Sequence, residues 1–238
     1  MRLILALLLA TSLASAVFIV FPDIDLAAAA LFYDGKSFPI AANRPVEAVR
    51  VALYAAEDIG FLLTLVLTLR RKPFAKVSAR GWLFQMLVFL LGPGILVNGL
   101  LKPVWGRARP FQIEDFGGTA PFAPAWSISD ACCGYRSFVS GEMAGATALA
   151  VCLILLLCAN RTEVGAFLYK TGLVLSLGVP LFTAWQRMAA GRHFLSDIVL
   201  AALLTLLLAA TLRQMLGGPD ARQALLTSQP IPPISRLP

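Results

Sequence analysis

His193 is the only histidine of the chain, and its neighbours favour acid–base or nucleophilic chemistry. Asp197 lies four residues further on, a spacing that brings two side chains together on one face of a helix. A carboxylate that bonds one ring nitrogen fixes the imidazole tautomer and leaves the other nitrogen free as a base or nucleophile. Arg187 precedes this pair and carries a guanidinium group that can hold a phosphate oxygen. For this stretch alone, a His–Asp pair that only caps a helix is the alternative.

Two earlier stretches carry groups that bind anions. Ser140 and Gly141 are small residues at the predicted start of a helix, where free backbone N–H groups can receive an anion; an ordinary helix cap is the alternative. Lys102 and Arg109 follow an apolar run, although such residues commonly extend from a helix end toward the lipid headgroups. Cations, a helix N-terminus and a histidine oriented by a carboxylate together favour phosphoryl transfer, which depends on positioning and charge stabilisation.

The elements that position these residues are predicted to cross a membrane. The chain has 238 residues, of which 58% are hydrophobic and 14% are charged, and its mean hydropathy is +0.78. A soluble domain carries roughly 25% charged residues, so the composition predicts one integral membrane domain. Backbone groups at membrane depth are satisfied by helices and not by an open sheet. We therefore predict an all-α bundle of six transmembrane helices.

Six apolar segments approach the roughly 20 helical residues that span a hydrocarbon core. The first is expected to be a retained helix, although its Ala14-Ser15-Ala16 stretch also resembles a signal-peptide cleavage site. The domain prediction is a membrane domain over residues 1–216, with its motif core at 102–197, and a flexible cytoplasmic tail over 217–238. The predicted spans are Leu3–Phe21, Val46–Leu69, Trp82–Leu101, Phe138–Cys158, Val164–Trp185 and Leu195–Leu212.

Basic residues predict which end of the bundle faces the cytoplasm, because cytoplasmic loops are enriched in Lys and Arg. One end carries Arg70, Arg71, Lys72, Lys76, Arg80, Arg161, Arg213, Arg222 and Arg236. The opposite end is also basic, with Lys102, Arg107, Arg109, Arg136, Arg187 and Arg192. The enrichment of cytoplasmic loops does not explain a second basic cluster at the opposite end, whereas anion binding does. We therefore expect a single outward-facing pocket.

The three stretches together resemble the signature of the type-2 phosphatidic acid phosphatase superfamily. The signature is Lys, six residues and Arg-Pro; then Pro-Ser-Gly-His; then Ser-Arg, five residues, His, three residues and Asp. The first part matches at Lys102 and at Arg109 with its following proline. The third part matches at Arg187, His193 and Asp197. The resemblance covers the motif core, and the family's six-span layout agrees with the predicted spans.

This resemblance implies a role for each matched residue. His193 would be the nucleophile that forms a phosphohistidine, and Asp197 would orient it. Members of the family need no metal ion, and one histidine with four scattered cysteines gives no ordinary zinc site, so no cofactor is expected. The groups that would hold the phosphoryl oxygens are Lys102, Arg109, Ser140, the Gly141 backbone and Arg187.

Glu142 marks a departure, because it stands where the second part of the signature has His. Val139 also replaces Pro, and Gln186 replaces Ser in the third part. A Glu can protonate the leaving oxygen only while it is neutral, and nearby arginines favour the ionised form. We predict that Glu142 is the general acid; the alternative is that it pairs with a cation such as Arg136 or Arg192. The Ser-Phe-Val-Ser-Gly-Glu form is similar to that of bacterial members that resemble lipid A phosphatases.

The resemblance implies a metal-independent phosphohydrolase of the bacterial inner membrane, with a periplasmic site and a phosphorylated lipid, foremost lipid A, as substrate. Undecaprenyl diphosphate, phosphatidylglycerol phosphate and phosphatidic acid are alternative substrates. A lipid phosphotransferase and a non-catalytic phospholipid-binding membrane protein are alternative functions. The net charge of +7 arises between apolar runs and accompanies no nucleic-acid-binding motif. The expected partners are therefore the lipid substrate and the bilayer, with no nucleic acid and no obligate protein partner.

Three further features lie outside the signature. Glu57 and Asp58 fall within the second span, where ionisable groups are costly and often functional; they are predicted to pair with a cation inside the bundle, or else to lie nearer the surface than the span boundary indicates. Residues Ile24–Phe32 are predicted to lie on the membrane surface, and the loop Pro103–Arg136 to form a lid or entrance. Cys132 and Cys133 are expected to be structural or incidental.

Overall fold

The computed structural model describes residues 1–129, 135–218 and 224–226. Cys132, Cys133 and most of the predicted tail therefore lie outside the described residues. The described part is helical, with isolated β-bridges and no β-strand. Its α-helices are α1 (Arg2–Val20), α2 (Asp23–Ala30), α3 (Arg44–Leu69), α4 (Ala79–Phe89), α5 (Lys102–Trp105), α6 (Gly141–Ala159), α7 (Gly165–Ala189) and α8 (Leu195–Gly217).

Six helices of the described chain are long and apolar enough to cross a membrane, which confirms the predicted all-α, six-span fold. Five of them are α1, α3, α6, α7 and α8. The sixth runs from α4 through a π-helical segment, Leu90–Leu101, into α5. The predicted spans differ from the observed helices by a few residues at most of their ends, and α7 extends four residues beyond the predicted Trp185. That extension places Arg187 in the last turn of α7.

Polar side chains fix where three of these helices begin. Asn43 caps α3 by accepting a hydrogen bond from the Val46 amide (3.1 Å), and Ser78 caps α4 in the same way. Ser140 caps α6 by accepting a hydrogen bond from the Met143 amide (3.2 Å). Because Ser140 is the cap, α6 begins at Gly141 and not at Phe138, where the apolar run begins.

Contacts between loops stabilise the end of the bundle that carries the basic residues Arg70 to Arg80. Lys76 pairs with Glu163 (2.5 Å), and the Asn160 side chain donates to the Ala75 carbonyl (3.1 Å). The Ser78 amide donates to the Leu225 carbonyl (3.0 Å), so residues 224–226 pack against the start of α4. The motif residues lie at the other end, where α5 ends and α6 and α8 begin.

An aromatic cluster covers the motif end of the bundle. It contains Phe38, Ile113, Phe116 and Phe194, and α2 joins it through Ala29. The prediction that residues 24–32 lie on the membrane surface is therefore incomplete. It does not include the face of α2 that is buried against α8 and the loop before α6. The side chain of Asp25 points into this buried face and is 0% exposed.

Candidate active site

The three motif stretches are joined in pairs by backbone hydrogen bonds. The Phe111 amide, just after Arg109, donates to the Gly191 carbonyl (3.1 Å), which links the first stretch to the third. The Ser137 amide donates to the Arg107 carbonyl (2.9 Å), which links the second stretch to the first. The Ser140 amide donates to the Asp197 carbonyl (3.1 Å), which links the second to the third. These bonds assemble one site from residues that are far apart in the chain.

His193 lies in the turn between α7 and α8. Gly191 has a φ of +63° at this turn, where the Phe38 ring leaves no room for a Cβ atom. The amides of Arg192 and His193 both donate to the Arg187 carbonyl, which fastens the turn to the last turn of α7. The His193 side chain is buried, and its Nδ1 atom lies 3.6 Å from Asp197 Oδ2 and 3.4 Å from Ser137 Oγ.

The prediction that His193 and Asp197 share a helix face is wrong in one respect. His193 precedes α8, whose N-cap is Phe194, and only Asp197 lies in the helix. The Asp197 carboxylate turns back to accept a hydrogen bond from the Phe194 amide (2.9 Å). This capping bond, and not the helical period, brings the carboxylate beside the ring.

The pKa of His193 lies below its ordinary value. Burial is the largest cause, because it disfavours the charged imidazolium. The neighbouring Asp197 carboxylate raises the pKa in opposition, and the positive charges of Lys102 and Arg109 lower it further. The net shift keeps the ring neutral near pH 7, which is the form that a nucleophilic or basic histidine needs.

Asp197 is fully buried and is held by donors on both oxygens. Oδ1 accepts from Arg107 (2.8 Å), and Oδ2 accepts from the Ser137 hydroxyl (2.6 Å) as well as from the Phe194 amide. The 3.6 Å separation from the His193 ring is longer than an ordinary hydrogen bond. Ser137 bridges that gap, because its hydroxyl lies near both the carboxylate and the imidazole Nδ1.

Behind Asp197 lies a buried polar network that the sequence did not indicate. The Arg107 guanidinium, 0% exposed, pairs with both Asp197 and Asp25. Ser196 donates to Asp25 through its amide (2.8 Å) and its hydroxyl (2.6 Å). Burial raises the pKa of Asp25, and the Arg107 guanidinium opposes that shift. The Arg107 guanidinium also stacks on the Phe194 ring, with its carbon 4.3 Å from the centroid.

Glu142 pairs with cations, but not with those that the sequence suggested. Arg187 donates to Glu142 Oε1 at 2.8 Å, and Arg50 of α3 donates to the same oxygen at 3.3 Å. Arg192 lies over the Phe111 ring, with its guanidinium carbon 4.7 Å from the centroid, and Arg136 is exposed. The predicted partners Arg136 and Arg192 are therefore wrong, because α3 and the end of α7 lie closer to the start of α6.

Lys102 and Arg109 leave their charges available to a ligand. Among the described residues, neither side chain has a hydrogen bond or an ion pair. A Cβ atom at Gly141 would lie 2.8 Å from Lys102 Nζ and 2.8 Å from the Asn98 side-chain oxygen, so Gly141 makes room for both groups. The Gly141 amide, in the first turn of α6, also has no acceptor within the described part of the chain.

Both polar groups of Ser140 that could bind a ligand, its hydroxyl and its amide, already form hydrogen bonds within the protein. Its hydroxyl caps α6, and its amide already donates to Asp197. The expectation that the Ser140 amide receives the anion therefore does not fit this arrangement, whereas the Gly141 amide does. Within the described residues, no three His, Cys, Asp or Glu side chains converge as a metal site.

The roles of several site residues were not predicted from the sequence, for different reasons. Arg107 and Ser137 stand inside the motif stretches, so their positions could have indicated that both side chains lie at the site. Arg50 and Asp25 lie in or before α3, far from any motif, and no local pattern distinguishes them from other charged residues. Only the packing of α2 and α3 against the motif end brings these two side chains to the site.

Comparisons with known proteins add an independent line of evidence. A family model of the PAP2 superfamily matches residues 82–218. Two relatives named lipid A 4'-phosphatase, from Rhizobium leguminosarum and Rhizobium etli, are 40% and 38% identical over 52% of this chain. A third of the same name, from Francisella tularensis subsp. novicida, is 30% identical over 76% of this chain.

The coverage of these relatives differs. The chain spans about half the length of the two rhizobial relatives, 49% and 45%, and 81% of the Francisella relative. No solved structure matches the chain significantly.

Proposed function

Because the chain belongs to the PAP2 superfamily, we propose that it is a metal-independent lipid phosphate phosphohydrolase that works through a phosphohistidine. The observation that carries this proposal is the position of His193, which is buried beside Asp197, and both oxygens of that carboxylate accept hydrogen bonds. Lys102 and Arg109 lie near the ring, and neither side chain pairs with another described residue. The names of the three relatives favour lipid A as the substrate. The apolar spans beside a basic rim also suit a substrate with acyl chains and a phosphate head.

The first chemical step is in-line attack on phosphorus. Nδ1 of His193 faces Asp197 and Ser137, so Nε2 is the nitrogen available to form the N–P bond. The ester P–O bond breaks, and the lipid leaves as an alcohol once its oxygen gains a proton. Lys102, Arg109 and Arg187 stabilise the charge on the three phosphoryl oxygens. The Gly141 amide is the backbone donor of this cradle.

Glu142 is the proposed source of the proton. Both guanidinium groups donate to its Oε1 atom, which leaves Oε2 as the oxygen that delivers a proton to the leaving group. Since Arg187 is also a proposed phosphate ligand, binding of the phosphate competes with Glu142 for that guanidinium. In the second step, water attacks the phosphohistidine and gives a proton to the Glu142 carboxylate, the N–P bond breaks and inorganic phosphate leaves, so Glu142 is protonated again for the next turnover.

The bacterial inner membrane, with the site facing the periplasm, is the proposed location. The loops at the end opposite the site carry the dense basic run from Arg70 to Arg80, and such loops normally stay in the cytoplasm. At the site end, Lys102, Arg109 and Arg187 are assigned to phosphate. Arg107 is paired with Asp25 and Asp197, so these cations have causes other than a cytoplasmic position.

The test is phosphate release by the purified protein from lipid A in detergent, together with trapping of an acid-labile phosphoenzyme. The wild type is expected to release phosphate and to carry label from a phosphate-labelled substrate. His193→Ala is expected to do neither while remaining in the membrane fraction. Label that moves to a second lipid instead of to phosphate would indicate a phosphotransferase. No release from lipid A, undecaprenyl diphosphate, phosphatidylglycerol phosphate or phosphatidic acid would leave only a non-catalytic lipid-binding role.

A further inference from the structure

Glu57 is a buried carboxyl group that the proposed mechanism does not use. It lies in α3 seven residues beyond Arg50, which is about 10 Å further along the helix axis at 1.5 Å per residue. Only 7% of the residue is exposed. Within the described chain, no residue donates a hydrogen bond to its carboxyl or pairs with it. The cation that the sequence predicted as its partner is therefore not found among those residues.

The neighbouring helix α6 has a glycine where the Glu57 carboxyl packs against it. Gly145 of α6 lies directly against Glu57, and a Cβ atom at Gly145 would overlap Glu57 Oε2. Gly145 lies one helical turn after Gly141, whose missing Cβ makes room for Lys102. The same face of α6 thus accommodates Lys102, a proposed phosphate ligand, and one turn deeper Glu57, an acid with no partner among the described residues.

Both groups line one cleft of about 330 Å³ between α3, α6 and the helix that ends at Lys102. Its wall changes in character with depth. Lys102 and Gly141 line it beside the proposed phosphate site, Glu57 and Asp58 line it one to two turns deeper, and Phe61 lies beyond them on α3. A cationic region is therefore followed by a region of hydrogen-bond acceptors and then by an aromatic wall.

A buried carboxyl whose oxygens accept no hydrogen bond from the described residues is costly, and groups that donate hydrogen bonds to those oxygens lower that cost. The chains of a lipid carry no such donors. A headgroup that bears hydroxyl and amide N–H groups next to its phosphate does carry them. A phosphate joined directly to a prenyl chain, or to a diacylglycerol, offers none at that depth.

We propose that this cleft is the headgroup subsite of the enzyme and that Glu57, with Asp58, accepts hydrogen bonds from the hydroxyl or amide groups of an acylated amino sugar. The inference rests on the proposed function, because Lys102 at the mouth of the cleft is assigned to phosphate. Glu57 is thereby a specificity-determining residue that selects a phosphorylated acyl sugar over other lipid phosphates.

The test compares Glu57→Met with the matched control Glu163→Met, at an exposed acid on the opposite end of the bundle. Phosphate release is measured from a diacylated glucosamine phosphate and from dioleoyl phosphatidic acid. Loss of the hydrogen bonds that the Glu57 carboxyl accepts is expected to lower the ratio of the two kcat/KM values, sugar over diacylglycerol, by about tenfold in Glu57→Met. Glu57→Gln keeps a carbonyl acceptor and is expected to lose less. An unchanged ratio in Glu57→Met would overturn the proposal.

A binding measurement separates this proposal from the proposed function. A diacylated glucosamine without phosphate is added to each purified protein, and the unfolding temperature is recorded. The lipid is expected to stabilise the wild type and Glu163→Met but not Glu57→Met. If wild type and Glu57→Met respond equally, the subsite is refuted even where phosphate release is normal. If the wild type releases no phosphate but binds the sugar lipid through Glu57, the hydrolase proposal fails and the subsite stands.

Discussion

At the level of single residues, His193 and Asp197, the proposed catalytic pair, each have distinct partners for their polar atoms. Nδ1 of His193 faces Asp197 and Ser137, which leaves the proposed attacking nitrogen on the other side of the ring. Burial and the charges of Lys102 and Arg109 lower the pKa of the ring, and Asp197 limits that decrease. The arrangement favours a neutral ring before attack and a stabilised imidazolium afterwards.

The lowered pKa of His193 predicts where activity is lost in acid. Attack requires the neutral ring, so kcat/KM falls as the pH drops through the pKa of the folded enzyme. Because that pKa lies below the ordinary 6.5 of histidine, the acid limb of the kcat/KM profile is expected to be centred below pH 6.5. Phosphate release from lipid A between pH 5 and 8 measures this. An acid limb centred at or above pH 6.5 would contradict it.

Glu142→Gln tests the proposed general acid. With a lipid alcohol as the leaving group, the variant is expected to lose roughly 100-fold in kcat, because general acid catalysis typically contributes 10²–10⁴-fold. p-Nitrophenyl phosphate, whose leaving group needs no proton, is expected to be affected far less. Glu47→Gln, which contacts Arg50 but not the proposed leaving-group position, serves as the control. Equal losses with both substrates would show that Glu142 acts by positioning Arg187.

At the scale of elements, α2 supports the start of α8 from outside the membrane bundle. Asp25 of α2 binds the amide and hydroxyl of Ser196, and it shares the Arg107 guanidinium with Asp197. A short helix outside the motif core thereby fixes the first turn of α8, from which Asp197 projects. The orientation of the Asp197 carboxylate thus depends on a helix that contributes none of the proposed catalytic residues.

Asp25→Asn is expected to loosen this support. The change removes one of the two carboxylates on a buried guanidinium, and breaking a buried ion pair typically costs about 3–5 kcal/mol. We expect a lower unfolding temperature and a kcat reduced by about tenfold, with KM little changed, because the phosphate ligands are untouched. Asp23→Asn, at an exposed acid of the same helix, is the matched control. A wild-type kcat in Asp25→Asn would remove the positioning role.

At the level of the whole molecule, both ends of the bundle are basic, but the basic residues have different surroundings at the two ends. At the site end, charges converge on Glu142, Asp197 and the proposed phosphate position. At the other end, exposed basic residues such as Arg70 and Lys72 lie in a short loop. Only the second pattern is typical of cytoplasmic loops.

This difference predicts the orientation in the membrane. Single cysteines are placed at Lys36, exposed near Arg192 at the site end, and at Lys72, exposed at the opposite end, with the four native cysteines replaced by serine. A membrane-impermeant maleimide is expected to label the first in cells with a permeabilised outer membrane, and the second only after lysis. Labelling in the reverse order would place the site in the cytoplasm.

The helices and the motif spacing could be predicted from the sequence, because both are local properties. The length of each apolar run predicts a span to within a few residues, and the intervals around Lys102, His193 and Asp197 identify the signature. The convergence of the motifs could also be inferred, since alternate ends of successive spans lie on one side of a membrane.

Which side chains meet across the bundle could not be predicted from the sequence and follows from the packing of the helices. Asp25 and Arg107 pair although they are 82 residues apart in the chain, and Arg50 and Glu142 pair although they are 92 apart. Glu57 of α3 packs against Gly145 of α6. The physical reason is that hydropathy sets how long a helix is but not how it is rotated or shifted against its neighbours. Those two quantities fix the partners of Glu142 and leave Glu57 facing the cleft, so the electrostatics of the site emerge only when the helices are packed.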